Sequence, residues 1–268
     1  MSAPIPLPLP KHSPLVSKVL VIRALMLREM ATRFGKYKFG FVWLILEPLL
    51  GVLVIGLIIG TIAERSVPEI PYPFFLLNGM LILKLFTSPM NASLRALDAN
   101  QGLLVYPNVK PLDPFLARFG FELLTTAFAF LVFCVVAMWL GVRLSFDNLG
   151  VLLLCYLSTW ATGCGLGLIF GVTSAYYKEI DKVIPVLQRP LLFISAVLFP
   201  LSTMPTSAQS LLLYNPLVHT IELARNALFP FYKVDGPNLA YPGLIAVTVL
   251  ALGLTLFHNH RNFLASRA

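Results

Sequence analysis

The chain has 268 residues, of which 57% are hydrophobic and only 12% charged, with a net charge of +8. Soluble domains carry about 25% charged residues. This composition therefore excludes an ordinary water-soluble enzyme and fits an all-α integral membrane protein, long enough for about six spans of roughly 20 residues. The basic excess does not read as a nucleic-acid surface. Lys11, Lys18, Arg23, Arg28, Arg33, Lys36 and Lys38 all precede the first long apolar stretch, where positive-inside residues belong.

Residues 1–14 are Pro-rich and lack the apolar h-region of a signal peptide, so a flexible cytoplasmic tail is expected there. Residues 15–38 then read as an amphipathic interface helix. Val16, Val19, Leu20, Met26, Leu27, Met30 and Phe34 share one arc of its helical part, Leu15 to Phe34. Lys18, Arg28, Glu29, Thr32 and Arg33 take the opposite side, with Arg23 intruding on the apolar arc. That pattern predicts a helix lying in the membrane interface. Tyr37 and Trp43 flank the crossing into hydrocarbon, where amphipathic aromatics prefer to sit.

The rest, 39–257, reads as a six-span transmembrane domain followed by a basic cytoplasmic tail, 258–268. The spans fall at about 41–63, 73–92, 114–140, 149–174, 183–201 and 240–257. Glu47-Pro48 lies in the first and Lys84 in the second. The third begins with Arg118 and Glu122, one helical turn apart and expected to pair. Gly163, Gly165, Gly167 and Gly171 in the fourth are small residues that let helices approach closely in lipid. Arg189-Pro190 occupies the first third of the fifth. Between the fifth and sixth, Ala208–Tyr214 and Val218–Phe229 read as two short helices broken by Asn215-Pro216. A re-entrant external hairpin is expected there, its backbone packed on protein.

Charge supports the same topology. Arg95, Lys110, Lys178, Lys182, Arg261 and Arg267 join the seven early cations on the cytoplasmic side, against Arg65, Arg143, Arg225 and Lys233 outside. Both termini are therefore expected in the cytoplasm. The spans show no internal repeat.

No residue is assigned a catalytic role, since the sequence holds no Walker loop, no G-x-S-x-G and no paired carboxylates in a water-facing loop. Cys134, Cys155 and Cys164 lie within apolar spans and read as small hydrophobes. His258 and His260 are two apart, on different helix faces of a basic tail, and no metal is expected. Glu47 and Glu122 lie near the cytoplasmic ends of their spans and read as structural polar groups. Work done by such a chain must be powered by a partner or an ion gradient.

Arg28-x4-Arg33-Phe34-Gly35-Lys36-Tyr37-Lys38-Phe39-Gly40-x2-Trp43-x3-Glu47-Pro48 resembles the opening segment of polysaccharide-exporting ABC-2 transporter permeases. The loop from Asn100 to Asp113, followed by Ala117-Arg118 and Glu122, looks like their cytoplasmic coupling loop. Tyr176 to Asp181 and Asn215-Pro216-Leu217-x-His219-x2-Glu222-x2-Arg225 also match, in the expected order. The likeness covers nearly the whole chain. It is strongest to the inner-membrane permease of capsule polysaccharide exporters in Gram-negative bacteria. O-antigen exporters share the opening segment, but Lys110-Pro111-x-Asp113 and the Asn215-to-Arg225 piece favour capsule.

The resemblance implies a homodimer in the bacterial inner membrane with an ATP-binding ABC subunit beneath each protomer. ATP and Mg would be bound on that ATPase, and no cofactor by this chain. A periplasm-spanning polysaccharide copolymerase and an outer-membrane export channel would complete the route. The substrate would be an anionic lipid-linked polysaccharide entering from among the membrane lipids. Asp98, Asn100, Gln101, Tyr106 and Glu179 are then the ATPase-coupling candidates, with Pro107 and Pro111 stiffening the link to the third span. Arg28, Arg33, Lys36 and Lys38 at the interface, and Lys84 and Arg189 within spans, offer cations along an anionic substrate's path. Three alternatives stay open. One is an O-antigen or teichoic-acid-type exporter. Another is a membrane enzyme acting on lipid-linked sugars, with Glu179 and Asp181 its nearest candidates. The third is an ion-coupled transporter, which the missing repeat disfavours.

Overall fold

The computed structural model describes residues 13–34, 70–100, 102, 106 and 108–266. The expected first span, most of the N-terminal tail and of the turn before the second span, and Lys36, Lys38 and Gln101 lie outside the described residues. Among the described residues the regular structure is helical: α1 (Pro14–Phe34), α2 (Tyr72–Leu94), α3 (Asp113–Trp139), α4 (Leu149–Tyr176), α5 (Ile180–Gln188), α6 (Leu191–Ile194), α7 (Thr206–Leu212), α8 (Pro216–Leu228) and α9 (Ala240–Ser266). Four of these, α2, α3, α4 and α9, are long and apolar enough to cross a membrane.

Local chemistry sets the helix ends. Both α2 and α3 start with proline in the first turn, where a missing N–H costs nothing. Asp113 also accepts the Lys110 N–H at 2.8 Å. At the other end of α3, Gly141 adopts φ 78°. Val142 N–H then reaches back to the Ala137 carbonyl at 2.9 Å, and Gly141 N–H to that of Met138 at 3.1 Å, the glycine-terminated stop that only a residue without Cβ makes cheaply.

The bundle is organised around α4, which packs on α2 along one face and α9 along another. In lipid there is no hydrophobic drive between helices, so backbone approach through small residues must hold them. The glycines expected to do this do so. A Cβ on Gly163 would come within 2.5 Å of the Phe86 carbonyl oxygen of α2, and one on Gly165 within 2.7 Å of the α9 backbone at Val249 and Leu250. Large apolar side chains such as Leu131, Val135, Trp139, Leu153, Leu244 and Val247 stay exposed on the outside, as a lipid-facing belt requires.

One end of the bundle carries Leu94, Asp113, Tyr176 and the C-terminal part of α9; the charged loops gather there. The α5–α6 segment starts at this end, where Ser174 Oγ bonds both the Leu94 carbonyl (3.0 Å) and Asp181 (2.6 Å). It reaches the opposite end at Leu198, whose carbonyl accepts from the Tyr72 hydroxyl at 3.1 Å. Residues 181–198 therefore run the length of α2, about 34 Å at 1.5 Å per residue, but not as the continuous helix expected over 183–201. The chain stops being α-helical at Arg189-Pro190, resumes for Leu191–Ile194, and is irregular from Ser195 to Pro200. Proline removes a helical N–H and crowds the preceding turn, and Ala196 takes a left-handed φ of 55°.

Two further expectations gain detail. Within the expected tail, 258–268, α9 continues to Ser266, with His258 and Arg261 exposed. Phe263 stacks on Tyr176 with centroids 4.2 Å apart, and Leu264 is buried beside Phe115 and Phe257. The polar arc of α1 does not simply face water. Lys18 and Glu29 turn towards α3, while Val16, Val19, Leu20 and Leu27 remain exposed.

Candidate functional site

The charged end builds a polar surface from three separated pieces of sequence. After α2, Asp98–Asn100 form one 3-10 turn. The Asn100 amide donates to the Ala96 carbonyl at 2.7 Å and accepts from Arg28 Nη1 at 3.0 Å, while Arg28 Nη2 donates to the Ala99 carbonyl at 2.7 Å. Arg28 thus ties α1 to this turn. From the α4–α5 turn, Lys178 pairs with Asp98 at 2.5 Å. Glu179 is exposed at the start of α5, and Tyr106 presents its ring to solvent with 62% exposure. The structure brings together Asp98, Asn100 and the 178–179 turn. It buries Asn100 as a strut and leaves Tyr106 as a free contact.

Beside this surface, α1 lies along α3 through a ladder of ion pairs. Lys18 meets the fully buried Asp113 at 2.5 Å, and Arg33 meets Glu122 at 2.6 Å and Glu29 at 3.2 Å. Arg118 pairs with Glu29 at 3.2 Å and also donates to the Ala92 carbonyl. The expected Arg118–Glu122 pair is therefore replaced. Docking of α1 supplies each of them with a partner from another helix, Glu29 for Arg118 and Arg33 for Glu122. Burial disfavours charge on Arg33, but Glu122 and Glu29 outweigh it and hold its pKa above the usual value. Its guanidinium also lies 5.0 Å from the centroid of the Phe121 ring. Arg28 and Arg33 are thus engaged within the fold.

Lys84 sits partly buried in the middle of α2, and Arg189 is exposed at the interruption between α5 and α6. Among the described residues no group of three or more His, Cys, Asp or Glu side chains is placed to hold a metal ion.

Reasoning from sequence missed a site at the opposite end. Arg225, counted there as an external charge, is completely buried. Its Nη1 donates to the Ala196 carbonyl (2.6 Å) and to Glu222 (3.0 Å), and its Nη2 to the carbonyls of Val197 (2.7 Å) and Phe75 (3.4 Å). Glu222 also accepts from the Tyr232 hydroxyl at 2.7 Å. Burial, with the Glu222 charge beside it, pushes the Tyr232 phenol well above its usual range, so it stays protonated and donates. Asn215 caps α8 through Leu217 N–H (3.0 Å) and donates to the Ile194 carbonyl at 2.9 Å. His219 bridges the Leu213 carbonyl and the Asn238 N–H, each at 2.8 Å. Irregular backbone at membrane depth needs protein partners for its polar groups. Here Asn215, Arg225 and Tyr72 supply them to the carbonyls of residues 194 and 196–198. The spacing Asn215-x3-His219-x2-Glu222-x2-Arg225 was visible in the sequence, but nothing local announced what it would hold.

Long apolar helices packed into a bundle, with charged loops gathered at one end, describe a membrane-embedded helical protein. The chain belongs to the ABC-2 type transporter family, whose pattern matches residues 21–229. It is 40% identical to the polysialic acid transport protein KpsM of Escherichia coli over 242 residues, covering 90% of this chain and 93% of that one. It is 29% identical to the capsule polysaccharide export inner-membrane protein CtrC of Neisseria meningitidis serogroup A, over 88% of this chain and 89% of the relative. It is 22% identical to the O-antigen export system permease protein RfbA of Klebsiella pneumoniae, over 86% of this chain and 88% of that one.

Proposed function

We infer that this chain is the transmembrane permease subunit of an ATP-driven exporter that moves lipid-linked capsular polysaccharide across the bacterial inner membrane. The observation that carries this is the 40% identity to a polysialic acid transport protein across nine-tenths of both chains. The weaker likeness to an O-antigen permease makes capsule the preferred substrate class over O-antigen.

In this reading the subunit works as a homodimer of six spans, residues 181–198 forming the broken fifth and α7–α8 the re-entrant external hairpin. The charged end and both termini face the cytoplasm. ATP and Mg are bound by a separate ABC subunit that docks on Asp98, Gln101, Tyr106 and Glu179, with the buried Asn100 holding their turn in shape. Movement of the docked ATPase passes through Arg28 into α1 and through Pro111 and Asp113 into α3. Because each of these joints is a short, specific bond to a rigid helix, a displacement at the loop becomes a displacement of the spans. The anionic chain passes Lys36, Lys38, Lys84 and Arg189, with Arg28 and Arg33 held in the fold by Asn100 and Glu122, then a periplasm-spanning copolymerase and an outer-membrane channel.

Two experiments test this. Inverted membrane vesicles carrying the permease and its ATPase should accumulate lipid-linked capsular polysaccharide when ATP is added. Accumulation driven by a proton gradient without the ATPase would overturn the reading. For topology, the three native cysteines are removed and single ones introduced. Cysteine at Asn100 or Glu179 should be shielded from an impermeant reagent in intact cells and cysteine at Asp235 labelled; the reverse result overturns the orientation.

A further inference from the structure

A groove of about 630 Å³ opens between the start of α3 and the outer face of α9. Its lining includes Lys110 and Leu112 from the loop, and Leu254, Phe257, His258 and Arg261 from α9. None of the residues that line it is acidic. The nearest carboxylate in sequence, Asp113, is taken by Lys18 at 2.5 Å. Among the described residues, Lys110, His258 and Arg261 have no ion-pair partner.

The layout is amphipathic along the membrane normal. Leu254, His258 and Arg261 follow one face of α9 at helical spacing, so the apolar residues lie deeper and the cations lie towards the charged end. Leu254 and Phe257 belong to a helix apolar enough to cross the bilayer, and Lys110 directly precedes α3. The cations therefore stand at headgroup depth, where basic residues attract anionic lipid.

We propose that this groove binds an anionic glycerophospholipid of the cytoplasmic leaflet. Its phosphate sits among Lys110, His258 and Arg261, and an acyl chain lies over Leu112, Leu254 and Phe257. Arg261 offers the planar fork suited to a phosphate. A protein partner with an acidic patch would match the cations but would leave the apolar floor unused. A lipid clamped here would add a second link between the start of α3 and α9, which already meet through Phe115 and Phe257, ring centroids 5.7 Å apart. The inference rests on the export reading only for the side of the membrane.

The test is lipid retention by the purified full-length chain, followed by native mass spectrometry, without ATP or polysaccharide. Wild type should retain phosphatidylglycerol in preference to phosphatidylcholine. At about 1 kcal/mol per cation near the surface, Lys110→Gln or Arg261→Gln should lower phosphatidylglycerol retention about fivefold and the double variant about thirtyfold, with phosphatidylcholine unchanged. Arg143→Gln, outside the groove, should change neither, and helical circular dichroism should match wild type throughout. Equal retention of the two lipids, or an unaltered preference in the double variant, overturns the proposal. So does displacement by inorganic phosphate or glycerol phosphate, which would make this a free-anion site, or by the ATPase, which would make it a protein contact. Wild type that shows no lipid preference but transports with ATP sinks only this inference, and wild type that prefers phosphatidylglycerol but fails to transport with ATP sinks only the export reading.

Discussion

The Arg225 guanidinium lies over the Phe75 ring, 3.5 Å from its centroid, although the two residues are 150 positions apart. That contact locks α8 onto α2 and points the same guanidinium at the carbonyls of Ala196 and Val197, which the irregular backbone after α6 leaves without helical partners. Breaking one side of a buried ion pair costs about 3–5 kcal/mol. Arg225→Ala and Glu222→Ala should each lower thermal stability in detergent by that order. Arg225→Lys should rescue little, because a compact ammonium cannot serve four acceptors spread around a plane. The two alanine losses should be non-additive in the double variant. An Arg225→Ala protein that melts with wild type would remove the structural role assigned here.

Helix contact through α4 makes a second prediction. Gly165 sits against Val249 and Leu250, and Gly253 of α9 faces back onto the Gly165 carbonyl. Gly165→Val should separate α4 from α9 and reduce the folded yield severely. Gly150→Val, at a position with open space around it, should be tolerated. Size-exclusion profiles in detergent discriminate the two, and equal profiles would contradict the close packing.

The α1–α3 ladder predicts a charge exchange. Arg33→Ala leaves the buried Glu122 without its closest partner and should cost about 1.5–3 kcal/mol, the range for hydrogen bonds to charged groups. Hydrogen exchange of α1 amides should accelerate accordingly. Arg33→Glu combined with Glu122→Arg should recover part of the protection lost in either single variant. No recovery would mean that α1 is held mainly by Lys18, Leu25 and Met26.

At the surface proposed for ATPase coupling, the structure separates residues that the sequence groups together. Tyr106→Ala should weaken co-purification of the ATPase while changing the permease stability little, since the residue is 62% exposed. Asn100→Ala should loosen the Asp98–Asn100 turn itself and release Arg28, lowering stability as well as ATPase binding. Stability loss in Tyr106→Ala, or none in Asn100→Ala, would reverse the two roles.

Arg189 stands exposed between α5 and α6. If it grips an anionic group of the substrate, Arg189→Lys should impair export in part and Arg189→Gln severely, with expression and ATPase binding intact. A side chain that only reaches for lipid headgroups would be replaced well by lysine. Normal export by both variants would rule out a substrate contact.

The sequence alone determined the membrane class, the described long helices to within a few residues at most ends, and the two short helices on either side of Asn215-Pro216. These follow from local facts: runs of apolar residues as long as a bilayer is thick, polar and Pro-broken turns between them, and the Asn215-Pro216 break. Only the tertiary structure decided which charges meet. Spacing placed Glu122 within reach of Arg118, but the docked α1 brings Arg33 and Glu29 close, and that choice depends on helices far apart in the chain. Hydropathy over 183–201 is the same whether the crossing is one helix or a broken one, so the interruption became visible only with its carbonyls bound to Asn215, Arg225 and Tyr72. For the same reason Arg225 read as a surface charge. A buried cation is recognised by the acceptors that surround it, and here these come from residues 75, 196, 197 and 222, which only folding assembles.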